Sequence, residues 1–346
     1  MSDCWMLKVS DDMASKKNED IVRDLFWGLV GRRPTDDQIT AMAADMARSP
    51  DSLLSMIESM HQSKEATDYR KSRDSISMLV PPGHYYSPIV DPSSLDRGYN
   101  NNSMAGLNFN PDAMLGFFKT LSPHFGSPSF PETEETGKRY YRNNDFYGPG
   151  DATVLSAMIT HFTPSRMIEV GSGFSSAVML DTADFAELDT QFTFIDPYPH
   201  RLEALFTKVD KKRCTIIADF IQNVPLETFD ALDDGDILFL DTTHVSKTGS
   251  DVNHEVFEIL PRLNKGVVVH FHDFFDNFEY PDNWVYDHNR SWNEQYIVRA
   301  FLMQNPNFEI LMLNDTIAQR FRDEATELSP AFMQNPGGGL WLRKTG

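Results

Sequence analysis

Beyond residue 150 the chain alternates short apolar runs with longer stretches in which apolar residues recur every three or four positions. The apolar runs lie at 167–170, 192–196, 214–218, 237–241, 267–272 and 308–313, with a last one at 339–343. Short apolar runs bounded by turn residues predict buried strands, and the stretches of helical period between most of them predict helices, beginning with 152–161. The alternation predicts an α/β domain over 151–346, with a doubly wound, mostly parallel seven-stranded sheet.

The N-terminal third reads differently. Apolar positions recur at helical spacing through Ile21, Leu25, Phe26 and Leu29, then Ile39, Met42, Ala43 and Met46, then Leu53, Leu54, Ile57 and Met60. Pro34-Thr35-Asp36 and Ser49-Pro50-Asp51-Ser52 supply turn and N-cap chemistry between them, so a small three-helix accessory unit is expected over 1–66. From 67 to 150 the periodicity fades and Pro, Gly, Asn, Ser and Tyr accumulate. The segments 81–89 and 139–147 are too aromatic for a flexible linker, and long ordered loops beside a catalytic domain commonly form lids or binding walls. Aromatic packing of a cap on the core explains any single tyrosine there equally well.

The first strand of the sheet carries the sharpest signal. Arg166-Met167-Ile168-Glu169-Val170 runs into Gly171-Ser172-Gly173 and then a helix-like stretch, and the next strand ends in Asp196. At the carboxyl ends of neighbouring parallel strands this arrangement forms a nucleoside-cofactor crevice, in which Asp196 can accept both ribose hydroxyls. A dinucleotide fingerprint needs a third glycine where this chain has Ser176, and Glu169 would repel a pyrophosphate. Beside the amino group of a methionine-type cofactor the same acid is useful. Glu169-x-Gly171-x-Gly173 accordingly resembles the first motif of class I S-adenosylmethionine (SAM)-dependent methyltransferases, with Ser175 next to it and Asp219, after the third strand, where that class contacts the adenine amino group. As a lone loop acid, Asp219 is equally well read as structural.

Composition narrows the partners. The 346 residues carry a net charge of −20, which argues against a nucleic-acid or anionic-membrane partner. Cys4 and Cys214 are too few for a disulfide framework or a thiolate zinc site. The first 17 residues lack the apolar core of a signal peptide and no apolar run approaches membrane-spanning length, so a cytoplasmic protein is expected.

The ends of the fourth and fifth strands concentrate titratable groups: Asp241-Thr242-Thr243-His244 and His270-Phe271-His272-Asp273. Three readings compete. A divalent metal can sit on Asp241, His272 and Asp273 with His244 as general base; a histidine can act alone; or the histidines can be hydrogen-bonded supports of the loops.

These runs, with Asp251-Val252-Asn253 and 259–266, resemble the class I methyltransferase group that includes macrolide-sugar O-methyltransferases and cephalosporin hydroxylase-type proteins. The 26–34 stretch similarly resembles a helical module appended to sugar-modifying enzymes. The resemblance implies a Rossmann-like methyltransferase fold, SAM as cofactor, and magnesium or manganese at Asp241 and Asp273 with His244 as base. His272 stands where that group usually has a glutamate. The expected activity is methyl transfer to a hydroxyl of a small molecule or glycan, and a homo-oligomer is compatible with it. A nicotinamide-dependent oxidoreductase and a mononuclear metal oxygenase are the alternatives on the same crevice.

Overall fold

The structure is a computed structural model that describes residues 18–30, 34–48, 52–74, 80–95, 104–207 and 209–346. The chain divides at Ser87/Pro88 into two compact units.

The first unit contains helices α1 (Asn18–Val30), α2 (Asp36–Arg48), α3 (Ser52–Gln62) and α4 (Lys64–Asp74). Its core joins Ile21, Val22, Leu25 and Phe26 of α1 to Ile39 and Met46 of α2, Met60 of α3 and Ala66 of α4. Thr35 starts α2 through a reciprocal capping box: its Oγ1 accepts the Gln38 amide at 3.3 Å, and Gln38 Oε1 accepts the Thr35 amide at 2.9 Å. The expected boundary at residue 66 falls inside α4. That helix was not foreseen because it is almost wholly polar; among its described side chains Ala66 is the one in the core. The N-terminal 17 residues and the segments 31–33 and 49–51 lie outside the described residues.

In the second unit, α5 (Pro111–Leu121) is an unforeseen helix inside the segment expected to be irregular. Asn110 caps it, accepting the Ala113 amide at 3.1 Å, and Met114, Leu115, Phe118 and Leu121 face the core. The expected boundary at 150/151 falls inside α6 (Pro149–Phe162). The sheet follows, with β1 (Arg166–Val170), β2 (Gln191–Ile195), β3 (Cys214–Ile217), β4 (Ile237–Leu240), β5 (Val268–His272), β6 (Phe308–Leu313) and β7 (Gly339–Lys344).

The strand order is β3-β2-β1-β4-β5-β7-β6, parallel through β5 and antiparallel for the last pair. This is the expected seven-stranded Rossmann-like methyltransferase sheet with flanking helices. Strand order reverses between β1 and β4, and the crevice beyond their carboxyl ends is the place where such sheets bind ligands. Two further helices matter to the site: α7 (Phe174–Phe185), which leaves the glycine turn, and α8 (His200–Leu205), which follows β2.

A buried arginine ties the 126–147 segment to this frame. Arg139 donates to Asp181 at 2.7 Å, to Asp184 at 2.8 Å and to Asp210 at 2.7 and 3.0 Å, while Asp181 also accepts the amides of Arg139 and Tyr140. A guanidinium carrying this many acceptors stays charged despite burial. Asn144 then shapes the turn, its Oδ1 accepting the amides of Phe146 and Tyr147 at 3.0 and 2.7 Å. The result delivers two aromatic rings to the mouth of the crevice.

Candidate active site

The glycine turn is closed by backbone contacts. Gly171 has φ +83°, and a Cβ there would lie 1.8 Å from the carbonyl oxygen of Asp241, so only glycine lets the β1 and β4 ends approach this closely. Its amide donates to Ile195 O at 3.0 Å. Gly173 has extended φ, and a Cβ there would meet the side chain of Arg201 at 3.1 Å. Asp196 is half-buried and braces the turn, accepting the Ser172 amide at 3.0 Å and the Tyr198 amide at 2.6 Å.

Glu169 is fully buried and does not reach the crevice. Ser175 Oγ donates to its Oε1 at 2.5 Å and Ser176 Oγ to its Oε2, while Ser176 Oγ also accepts the Gly173 amide at 3.0 Å. Burial lifts the Glu169 carboxyl to about 8 against the pull of both serines. This acid therefore fixes the entry to α7. Asp219 is exposed and accepts the Phe220 amide at 2.7 Å and the Asn223 amide nitrogen at 2.8 Å, away from the cavity walls.

A cavity of 210 Å³ opens beside the turn, lined by Gly171, Gly173, Ser175, Asp196 and Asp241, with Phe146 and Arg201 across its mouth. The Arg201 guanidinium lies 3.8 Å from the Phe146 ring centre, and Phe146 stacks on Phe174 at 5.8 Å. Arg201 was not read from the sequence, because nothing in the run after β2 distinguishes it from a surface arginine.

The β4 and β5 ends hold the titratable cluster. His244 is 5% exposed and has φ +58°, as does Asp273; both are non-glycine residues in a left-handed conformation, the kind of local cost that structures carry at working sites. His244 Nε2 lies 3.4 Å from Asp241 Oδ1 and 3.6 Å from Asp273 Oδ2. Its Nδ1 pairs with Glu294 Oε2 at 2.8 Å. Glu294 is held in turn by the chain it serves, since the amides of Asn293 and Glu294 both donate to His244 O, at 3.0 and 3.2 Å. Trp292 packs against the imidazole, ring centres 4.3 Å apart. Burial alone would lower the basicity of His244, but Asp241 and Glu294 outweigh it and hold the imidazolium well above the ordinary range.

Glu294 was missed in the sequence because it lies 50 residues from His244 and reads as an ordinary first-turn helix acid.

Among the described residues, the ligand atoms that converge are those of Asp241, His244 and Asp273, all within 4.8 Å of one another. His272 lies outside this group, its Nε2 3.7 Å from Asp273 Oδ1 and its Nδ1 without a hydrogen-bond partner. Two carboxylates and an imidazole whose far nitrogen is tied to a carboxylate form a donor set that fits a divalent cation. His244 Nε2 can then bind either a cation or a proton, so the expected division between a metal site and a separate base becomes a choice at one atom. His270 is a core residue that stacks on Phe239 and meets Trp341 at a tilt, each 4.2 Å away.

A second cavity of 740 Å³ adjoins the first through Phe146 and Tyr147, and its wall includes Asp151, His272, Asp273, Phe275 and Trp284. Asp151, also unforeseen, is buried in the first turn of α6, accepts from Asn314 at 3.1 Å and is raised to about 7, chiefly by burial.

Residues 168–274, from β1 through β5, match a family model described as a methyltransferase domain. The class I resemblance carried by the glycine turn is met by that match and by the sheet order. The chain is also 29% identical over 172 residues to an uncharacterized protein of Archaeoglobus fulgidus, a match covering 46% of this chain and 76% of that protein. Among solved structures it is similar to the O-methyltransferase TomG from Streptomyces achromogenes in complex with SAM, with 15% identity and TM-score 0.42 over 66% of this chain and 96% of that one. It is likewise similar to an SAH-bound methyltransferase from Podospora anserina, with 14% identity and TM-score 0.35 over 68% and 89% of the two chains. No helix among the described residues is long and apolar enough to cross a membrane.

Proposed function

We propose that this protein is a SAM-dependent O-methyltransferase acting on a hydroxyl of a small molecule or glycan, with His244 accepting the hydroxyl proton. The observation that carries the reading is the position of His244 Nε2, which lies between Asp241 on the wall of the cofactor cavity and Asp273 on the wall of the larger one.

SAM supplies an electrophilic methyl group on a sulfonium cation. Gly171, Ser172 and Gly173 present backbone to it, and Asp196 retains lone pairs for the ribose hydroxyls beyond those given to the two amides. Phe146, stacked between Phe174 and Arg201, walls the mouth of the cavity and limits water. Asp241 faces the same cavity and is held below the usual carboxylate range by His272 and His244 despite burial, so it stays anionic beside the place a sulfonium would take. Glu294 fixes the imidazole so that Nε2 is the atom offered to the acceptor.

His244 rests protonated among its three carboxylates and becomes a base when positive charge enters the Asp241 and Asp273 side. Alignment of the acceptor oxygen supplies much of the rate, and proton removal adds about 10² to 10⁴.

A second reading is favoured by the converging ligand atoms. Asp241, His244 and Asp273 would hold magnesium or manganese, which would acidify the acceptor hydroxyl. Transfer of a labelled methyl group from SAM to a panel of hydroxylated acceptors, run with and without chelator, tests both. Full activity in chelator supports His244 as base, loss restored by added metal supports the cation, and no transfer to any acceptor contradicts the proposed activity.

A further inference from the structure

The 740 Å³ cavity has the size of a one- or two-ring ligand, and its chemistry is one-sided. Five carboxylates, Asp151, Asp273, Asp276, Glu279 and Asp315, line it beside the exposed Asp145 at the rim, while Arg322 is the one lysine or arginine among the lining residues. Two of the five are matched. Asp276 accepts from Thr316 at 2.7 Å and pairs with Arg320 at 2.9 Å, and Asp273 faces His244 and His272.

Among the described residues, Asp151, Glu279 and Asp315 form no ion pair. Glu279 accepts one hydrogen bond from Tyr296 at 3.1 Å, and Asp315 accepts the Asp276 amide at 2.9 Å and Gln319 at 3.3 Å. Burial raises all three carboxyls above their ordinary values, and the pull of His272 on Asp151 and of Arg299 on Glu279 does not offset it.

Two features argue that the cavity is built for a ligand. His272 is only 7% exposed, lines the cavity, and leaves its Nδ1 without a partner, a deficit that an acceptor hydroxyl would meet. Phe275 and Trp284 stand edge to face at 5.2 Å and offer an aromatic wall suited to the C–H face of a sugar, while the Arg290 guanidinium already lies over the Trp284 ring at 4.1 Å.

We propose that the acceptor is an amine-bearing polyol of the aminosugar class, its ammonium group seated against Glu279 and Asp315 and a hydroxyl turned toward His272. This rests on the methyltransferase reading for the word acceptor alone, since the amine preference belongs to the cavity itself. Phosphorylated and carboxylated sugars are excluded by the same wall.

The test is ligand-observed NMR on the full chain, alone and with S-adenosylhomocysteine, using glucosamine, N-acetylglucosamine and glucuronic acid as probes. Glucosamine should bind about tenfold more tightly than its neutral N-acetyl counterpart, the scale of one charge-assisted contact, and the difference should shrink with added salt. Glucuronic acid should show no saturable binding up to about 50 mM. Glu279→Gln combined with Asp315→Asn should cut the preference to about twofold or less while leaving S-adenosylhomocysteine affinity unchanged.

Equal binding of the two amino sugars by the wild-type protein, no glucosamine binding, or an undiminished preference in the folded double variant would overturn the proposal. Should that variant fail to fold, the salt dependence of the wild-type preference decides. Calorimetry with S-adenosylhomocysteine on the same samples keeps the two readings apart. Loss of cofactor binding with the amine preference intact would remove the methyltransferase and leave the amine site, and the reverse outcome would do the opposite.

Discussion

The two halves of the crevice are built on opposite plans. At the β1–β2 end most polar groups are satisfied from within: Glu169 takes both serine hydroxyls, Asp196 takes two amides, and the glycine turn donates to the neighbouring strand, with the buried Ser172 hydroxyl the exception. At the β4–β5 end the groups face one another at 3.4 to 3.7 Å, and His272 Nδ1 has no partner at all. A backbone cradle that is complete without its ligand suits a cofactor shared by every turnover. A side-chain cluster with unmet partners suits the place where charge and protons change hands.

The largest expected effect breaks the first half. Gly171→Ala would drive a Cβ to 1.8 Å from Asp241 O at positive φ, so a stability loss of about 3 kcal/mol or more is expected. Thermal denaturation should show a strongly lowered midpoint, and calorimetry no S-adenosylhomocysteine binding by whatever folds.

His244→Ala breaks the second half and spares the first. Turnover, read as labelled methyl transfer, should fall by about 10² to 10⁴ with cofactor affinity within about twofold. A parallel loss of cofactor binding would show that the two halves are not separable.

Glu294→Gln should cost less, about tenfold or more in turnover, and should move the pH profile. The rate is lost as pH falls through the His244 pKa, because the imidazolium cannot accept a proton. That pKa is raised in the native protein by Asp241 and Glu294, so removing the glutamate charge should carry the acidic limb to lower pH. An unmoved limb would mean that Glu294 only packs the loop.

Glu169→Gln sharpens the contrast through stability. The native carboxyl holds its proton up to about 8 while the unfolded one releases it near the ordinary value. The folded state therefore binds the extra proton between those limits, and wild-type stability should fall as pH rises across that window. The amide variant should lose that slope, on the order of a few kcal/mol across the window, in urea titrations at pH 5 and pH 8. The smallest effect is expected at Asp219→Ala, whose partners are local, with cofactor affinity changed by about twofold or less.

The strands were legible because buried parallel strands are written as short apolar runs, and the switch point followed from the Glu169, Gly171 and Gly173 turn. Helix α4 was invisible for want of apolar residues, and α5 was hidden in a stretch whose Asn and Pro read as loop but in fact cap its start. In the candidate site, Asp241, His244 and Asp273 lie at strand ends, which period and topology locate. Glu294, Asp151 and Arg201 lie on helices brought near by tertiary folding, and sequence spacing carries no signal for that. His272 was grouped with Asp241 and Asp273 because the end of β5 faces the crevice; adjacent residues on a strand point to opposite faces, and the departure from strand at Asp273, with its positive φ, decides where that carboxylate goes.

The central claim is that the β1–β2 cradle binds SAM through Asp196, and calorimetry of S-adenosylhomocysteine and NAD against the wild-type protein and Asp196→Ala tests it without knowledge of the acceptor. The wild type should bind S-adenosylhomocysteine and not NAD, and the variant should lose about 2 to 4 kcal/mol of S-adenosylhomocysteine binding. Tighter binding of NAD, or an affinity for S-adenosylhomocysteine that survives the loss of Asp196, would contradict it.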